Sequence, residues 1–139
     1  MPDYPVRVPF ATRWNDNDQY GHLNNAVYYE AMDTAANSWM IRAGGLDPRG
    51  GEAIALCAAS SCEFRSSAAF PEPLEVGLAV ERLGTTSVTW ILGILRPDEQ
   101  EPIATGRFVH VFVDAETRRP SPVPAAIRSA IESELLGRL

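Results

Sequence analysis

The chain has 139 residues, 45% of them apolar and 22% charged, which is enough to build one core and excludes a wholly disordered chain. Twelve basic residues stand against 18 acidic ones, for a formal net charge of −6 at pH 7. With no cationic cluster, the footprint of a nucleic-acid binder is missing. All the cations are arginine, which grips phosphate in a bidentate way, so a local phosphate site is compatible with the acidic whole.

In chain order, Val6–Thr12 predicts a first strand, with Val6, Val8 and Phe10 alternating on one side. Asn15–Asn25 is a polar loop of Asn, Asp and Gly. Asn24 or Asn25 can cap a long helix that runs to about Ala43. Tyr28, Met32, Ala35, Ala36, Trp39 and Met40 recur at helical spacing and predict its buried stripe, and Gly44-Gly45 stops it. Four strand-like segments follow: Ile54–Phe64, the alternation Leu74, Val76, Leu78, Val80, then Ser87–Leu95 and Ile103–Val113. Their tight connections demand antiparallel pairing. Pro122 and Pro124 introduce a short C-terminal helix with Ile127, Ile131 and Leu135 on one side. The expectation is one α+β domain over residues 1–139: an antiparallel sheet with one long helix on its face. Ala31, Ala35 and Ala36 would let the sheet approach that helix closely. Its edges need covering, and dimerisation is one way to do so.

Cys57 and Cys62 are too few for a disulfide framework. On one regular strand their odd spacing puts them on opposite faces, roughly 17 Å apart, where a disulfide needs about 7 Å or less. A reducing compartment is the simpler expectation. Met1-Pro-Asp-Tyr-Pro5 lacks a basic segment followed by an apolar run, and no apolar stretch approaches the ~20 residues that span a bilayer. The chain is therefore expected to be cytoplasmic, without nucleic-acid or membrane contact.

The densest chemistry lies between Trp14 and Tyr29, where two carboxylates, a histidine and a glycine enter the long helix. A helix N-terminus offers unpaired N–H groups and positive partial charge, which polarise a carbonyl or hold an oxyanion. A carboxylate just upstream can act as base or nucleophile. The loop suits acyl transfer or hydrolysis; it also suits a solvated loop of Asx turns and a cap. The wording Asp16-x-Asp18-x-x-Gly21-His22-Leu23-Asn24-Asn25-x-x-Tyr28 resembles the signature of hotdog-fold acyl-CoA thioesterases, in the 4-hydroxybenzoyl-CoA thioesterase and acyl-CoA thioester hydrolase family. Glu63-Phe64-Arg65 with Leu74-Glu-Val-Gly77 is similar to that family's second-to-third strand region. Arg82–Ser87 is similar to its next turn, and Arg119–Pro124 to the proline-rich entry of its last helix. The resemblance covers nearly the whole chain in order. It implies a hotdog fold, with an antiparallel sheet wrapped around one central helix, and hydrolysis of an acyl-CoA to a carboxylic acid and free CoA. It further implies no metal or organic cofactor, with CoA arriving as part of the substrate, and a homodimer with interfacial sites, often doubled into a homotetramer.

By position, the resemblance makes Asp18 the carboxylate that activates water or attacks the thioester carbonyl, and Asp16 a motif acid of structural role. Gly21 and His22 lie where the chain turns into the helix, and N–H groups around Leu23–Asn25 would polarise the carbonyl. Asn24 and Asn25 cap the helix or contact substrate. Tyr28 lines the acyl pocket or is a core aromatic. His22 is a general acid, a substrate ligand or an orienter of Asp18, or else a hydrogen-bonded structural group. Ser60 and Ser61 sit on the strand expected to face the helix N-terminus; one holds the nucleophilic water, or both fill a tight strand. Arg65, Arg82 and Arg107 are candidates for the CoA phosphates, against a plain surface role. His110 reads as a satisfied sheet histidine.

Two rival readings stand beside hydrolysis: a hotdog dehydratase or hydratase, and a non-catalytic acyl-CoA-binding protein. Asp18 argues against the binder, because holding an anionic ligand gains nothing from a carboxylate there. No G-x-S-x-G elbow occurs. Only two histidines are present and no H-x-x-x-H or C-x-x-C, so metal chemistry has little support.

Overall fold

The computed structural model describes residues 3–136; Met1 and Pro2, which open the stretch read for a signal segment, lie outside them. The elements are β1 (Val6–Ala11), α1 (Asn25–Gly44), β2 (Ala53–Phe64), β3 (Pro73–Leu83), β4 (Ser87–Leu95), β5 (Ala104–Asp114) and α2 (Ala125–Glu134). A single 3-10 turn, Trp14–Asp16, interrupts the loop before α1. Every strand pairing is antiparallel, in the order β1-β3-β4-β5-β2. The meander β3-β4-β5 forms the centre, and β1 and β2 become the two edges. No helix among the described residues is long and apolar enough to cross a membrane.

Asn24 is the residue that caps α1: its backbone is extended, and its Oδ1 accepts the Ala26 N–H at 2.9 Å. At the other end the Gly45 and Leu46 N–H groups donate back to the Ile41 and Met40 carbonyls at 3.2 and 3.1 Å. The stripe Tyr28, Met32, Ala35, Ala36, Trp39 and Met40 is buried, as its spacing predicts, and α1 lies across β3, β4 and β5. The sheet answers with Leu74, Val76, Leu78 and Val80, then Val88, Trp90, Leu92 and Ile94, then Phe108 and Phe112, all buried. Each such side chain contributes about 1.5–3 kcal/mol of hydrophobic stabilisation. Gly106 leaves the space that Met32 enters; a Cβ there would meet the Met32 sulfur. Ile127, Ile131 and Leu135 of the C-terminal segment complete the same core. This is the hotdog arrangement.

His110, under α1, is buried, and the Trp90 Nε1–H donates to its Nδ1 at 3.0 Å. That bond requires Nδ1 to be unprotonated, and burial holds the imidazole below its ordinary pKa.

One expectation is corrected. β2 and β5 are out of step between Cys57 and Ala59, where Ala58 bulges from the ladder. Cys57 pairs with His110 and Cys62 with Gly106, two positions on the helix-facing side of β5. The extra residue turns an odd spacing into an even one, so both cysteines share a face instead of opposing each other. They remain free thiols.

Candidate active site

The loop from Arg13 to Asn24 is held from inside. Asp16 is only 1% exposed, and its carboxylate accepts the Arg13 backbone N–H at 2.8 Å and the Arg13 Nε and Nη2 groups at 3.0 and 2.8 Å. Its carbonyl accepts the Asn24 N–H at 2.9 Å. Asn17 Oδ1 accepts the Phe70 N–H at 3.0 Å, which ties the loop to the chain entering β3. Asp16 is therefore committed to structure, and the next acid of the motif is placed differently.

Asp18 begins a tight turn. Its N–H donates to the His22 carbonyl at 2.8 Å, and its carbonyl accepts the Gly21 N–H at 3.1 Å. Gly21 takes φ +83°, in the left-handed region that suits glycine, and this lets the chain reverse before the helix. Asp18 Oδ1 accepts the Tyr20 N–H at 2.8 Å, an Asx turn; Oδ2 has no hydrogen-bond partner among the described residues.

The helix N-terminus is more sparingly supplied than its composition suggests. The Leu23 N–H is taken by the Ala68 carbonyl at 2.8 Å and the Asn24 N–H by Asp16. The Ala26 and Val27 N–H groups go to the Asn24 side chain and carbonyl, each at 2.9 Å. The Asn25 N–H has no acceptor among the described residues. Of the donors expected around Leu23–Asn25, Asn25 is the one still able to meet a ligand oxygen.

A cleft of about 390 Å³ opens here, a size suited to small-molecule ligands. Asp18, His22, Leu23, Asn25, Tyr28 and Arg65 all line it. The His22 side chain is exposed and has no hydrogen-bond partner among the described residues. Tyr28 is buried, edge-on to Phe64 with ring centroids 5.3 Å apart, and presents part of its ring to the cleft. Gly21 shapes the turn and Asn24 caps the helix, neither lining the cleft.

The remaining expectations separate. Ser60 pairs with Phe108 and shares the helix-facing side of the sheet, whereas Ser61 pairs with Arg107 on the opposite side, with Glu63. Neither serine lines the cleft. Arg107 forms a 3.0 Å surface ion pair with Glu81, and Arg82 does not reach the cleft, so Arg65 is the candidate phosphate group that the fold brings to it. Cys62 lies near Tyr28; burial, then the Glu63 carboxylate, push its thiol up to about 11, so it is not a thiolate nucleophile at neutral pH. Among the described residues no three His, Cys, Asp or Glu side chains are grouped to hold a metal ion.

Sequence reasoning missed Tyr20, Phe64, Ser66 and Ser67, which also line the cleft. Tyr20 is 86% exposed, and a lone aromatic ring in a polar loop was a usable signal. The others are brought in by the end of β2 and carry no local mark.

The model of the thioesterase-like superfamily matches residues 12–131, and the chain belongs to that superfamily. Its class is thioester hydrolase. Among solved structures, the PA5185 protein from Pseudomonas aeruginosa strain PAO1 is 44% identical, with a TM-score of 0.93 over 98% of this chain and 95% of that one. A Thermus thermophilus thioesterase complexed with coenzyme A and Zn is 29% identical, with a TM-score of 0.76 over 93% of this chain and 98% of that one. Slr0204, a 1,4-dihydroxy-2-naphthoyl-CoA thioesterase from Synechocystis, is 18% identical, with a TM-score of 0.80 over 90% of this chain and 93% of that one, a likeness of fold. No curated protein sequence matches the chain.

Proposed function

We propose that the protein hydrolyses an acyl-CoA thioester to a carboxylic acid and free CoA. The observation that carries this reading is one cleft lined both by Asp18, whose Oδ2 has no hydrogen-bond partner among the described residues, and by Asn25, whose backbone N–H has no acceptor among them. The thioester oxygen lies on the Asn25 N–H, where the positive end of α1 adds to the polarisation. Asp18 then takes a proton from water that attacks the carbonyl carbon, or attacks that carbon itself to give an acyl–Asp18 anhydride, which water hydrolyses to the free acid once the thiolate has left. The negative charge that develops on oxygen is held at Asn25 while the C–S bond breaks and the CoA thiolate leaves. The proton that Asp18 took from water passes to the thiolate, directly or by way of His22. Arg65 supplies the cation for a CoA phosphate. Apart from the CoA carried by the substrate, the scheme draws on protein groups only.

The site is completed by a second copy of the chain. β2 is an edge strand of 12 residues whose side chains from Leu56 to Ser61 are all exposed, and Glu63 is its one charge. Natural edges are protected by charge, proline or brevity. β1 has all three, with Arg7, Pro9 and six residues, and β2 has little of any. Pairing along β2 brings a partner to the Phe64–Arg65 end, where the cleft opens.

A panel of acyl-CoAs with a thiol reagent tests the reading. Free thiol released with the carboxylic acid supports it. Hydration or dehydration of the acyl group without thiol release would replace it with the dehydratase reading, and binding without turnover with the acyl-CoA binder.

A further inference from the structure

A second cleft of about 420 Å³ lies on the other flank of α1, between the helix and edge strand β1. Its floor is apolar: Val8, Phe10 and Val76 from the sheet, Val27, Ala31 and Ala35 from the helix. The alanines, at four-residue spacing, keep the helix side shallow, so the space is an open groove. From Val27 to Arg42 it follows α1 for about 22 Å. Thr34 and Ser38 form a hydroxyl rim.

Its two ends differ in charge. At the Phe10 end Arg13 is held by Asp16 at 2.8 Å and also faces Glu30, so its cation is offset. At the far end Arg42 reaches the groove with no carboxylate partner among the described residues. Gly45 and Leu46 already satisfy the nearby Ile41 and Met40 carbonyls. A long apolar trough with one uncompensated cation at one end complements a linear amphiphile with a single anionic head. We infer that this groove binds a straight-chain carboxylate, a free fatty acid, with its head on Arg42 and its chain running along Ala35 and Ala31 toward Val27. The site is separate from the Asp18 cleft and stands without the thioester chemistry proposed for it.

Isothermal titration of the full chain with sodium decanoate tests this. One saturable site per chain is expected. Arg42→Gln, at an exposed residue that the fold tolerates, should weaken decanoate tenfold or more. Decanol should bind the wild type and Arg42→Gln alike, and added salt should weaken decanoate but not decanol. Ser38→Trp fills the groove and should abolish both. Asp18→Asn and Arg65→Ala, in the other cleft, should leave decanoate binding unchanged. Absence of saturable binding, wild-type affinity in Arg42→Gln, or loss of decanoate binding in Arg65→Ala would each overturn the inference.

Discussion

Asp18 keeps one carboxylate oxygen uncommitted while Asp16, two residues earlier, spends its own on Arg13. Asp18→Asn preserves shape and removes the basic oxygen. We expect kcat to fall by about 10²–10⁴ with substrate affinity retained, since the loss of a positioned acid–base group costs that much. Near wild-type kcat in the purified, folded variant would mean that the catalytic group lies elsewhere. The Asn25 N–H can be tested with unusual selectivity. Proline is favoured at the first helical position, and Asn24 already has the extended backbone that must precede it. Asn25→Pro should keep α1 and delete the donor that has no acceptor among the described residues, lowering kcat about 10²–10³-fold as for other oxyanion donors. Asn25→Ala, which retains the N–H, should stay within a few-fold of wild type. The motif made this loop legible in the sequence. Which N–H remains free was not, because the acceptors that consume its neighbours are the carbonyls of Asp16 and the distant Ala68.

At the scale of the elements, the sheet holds a histidine that must stay neutral. Burial lowers the His110 pKa, with the Asp33 charge opposing weakly. The unfolded chain therefore takes up the proton first as pH falls below about 6.5. The stability tied to the neutral ring is complete above that value and declines from it toward the lower folded pKa. Urea midpoints measured from pH 7.5 to 5 should drop for the wild type and drop less for His110→Gln; parallel slopes would remove His110 from the account. In Gly106→Ala the new Cβ meets the Met32 sulfur, and overpacking of this kind costs about 1–3 kcal/mol in the same assay. The elements themselves were readable because their signals are local: helical spacing from Tyr28 to Met40, alternation from Leu74 to Val80. The bulge at Ala58 was not, since it lies in a run of small residues in which no side chain marks the extra position.

The molecule as a whole has a protected edge and an unprotected one. Sedimentation velocity at micromolar concentration should give a dimer or tetramer of the 15.2 kDa chain. Leu56 is 42% exposed on the bare edge strand. Leu56→Arg adds the charge that natural edges use, and should shift the protein toward monomer with thiol release falling in step. A wild-type monomer with full activity would confine the site to a single chain. The expected dimer rests on pairing between copies, which no pattern within one chain spells out. The sequence could show that an edge would need cover, but not which strand would be left bare.

A strand is written in a two-letter code, inside and outside, and a deletion anywhere along it normally rewrites every letter on one side of the cut. Ala58 is the exception in β2. Because Cys57 and Ala59 already stand opposite consecutive residues of β5, His110 and Val109, removing Ala58 would leave both flanks in their present frame. The strand thus carries one spare character. A chain lacking Ala58 should fold with a straighter β2 and every other residue opposite its present partner, whereas a chain lacking Ser60 keeps both flanks in frame only by drawing Ala58 and Ala59 into the ladder opposite Val109 and Phe108.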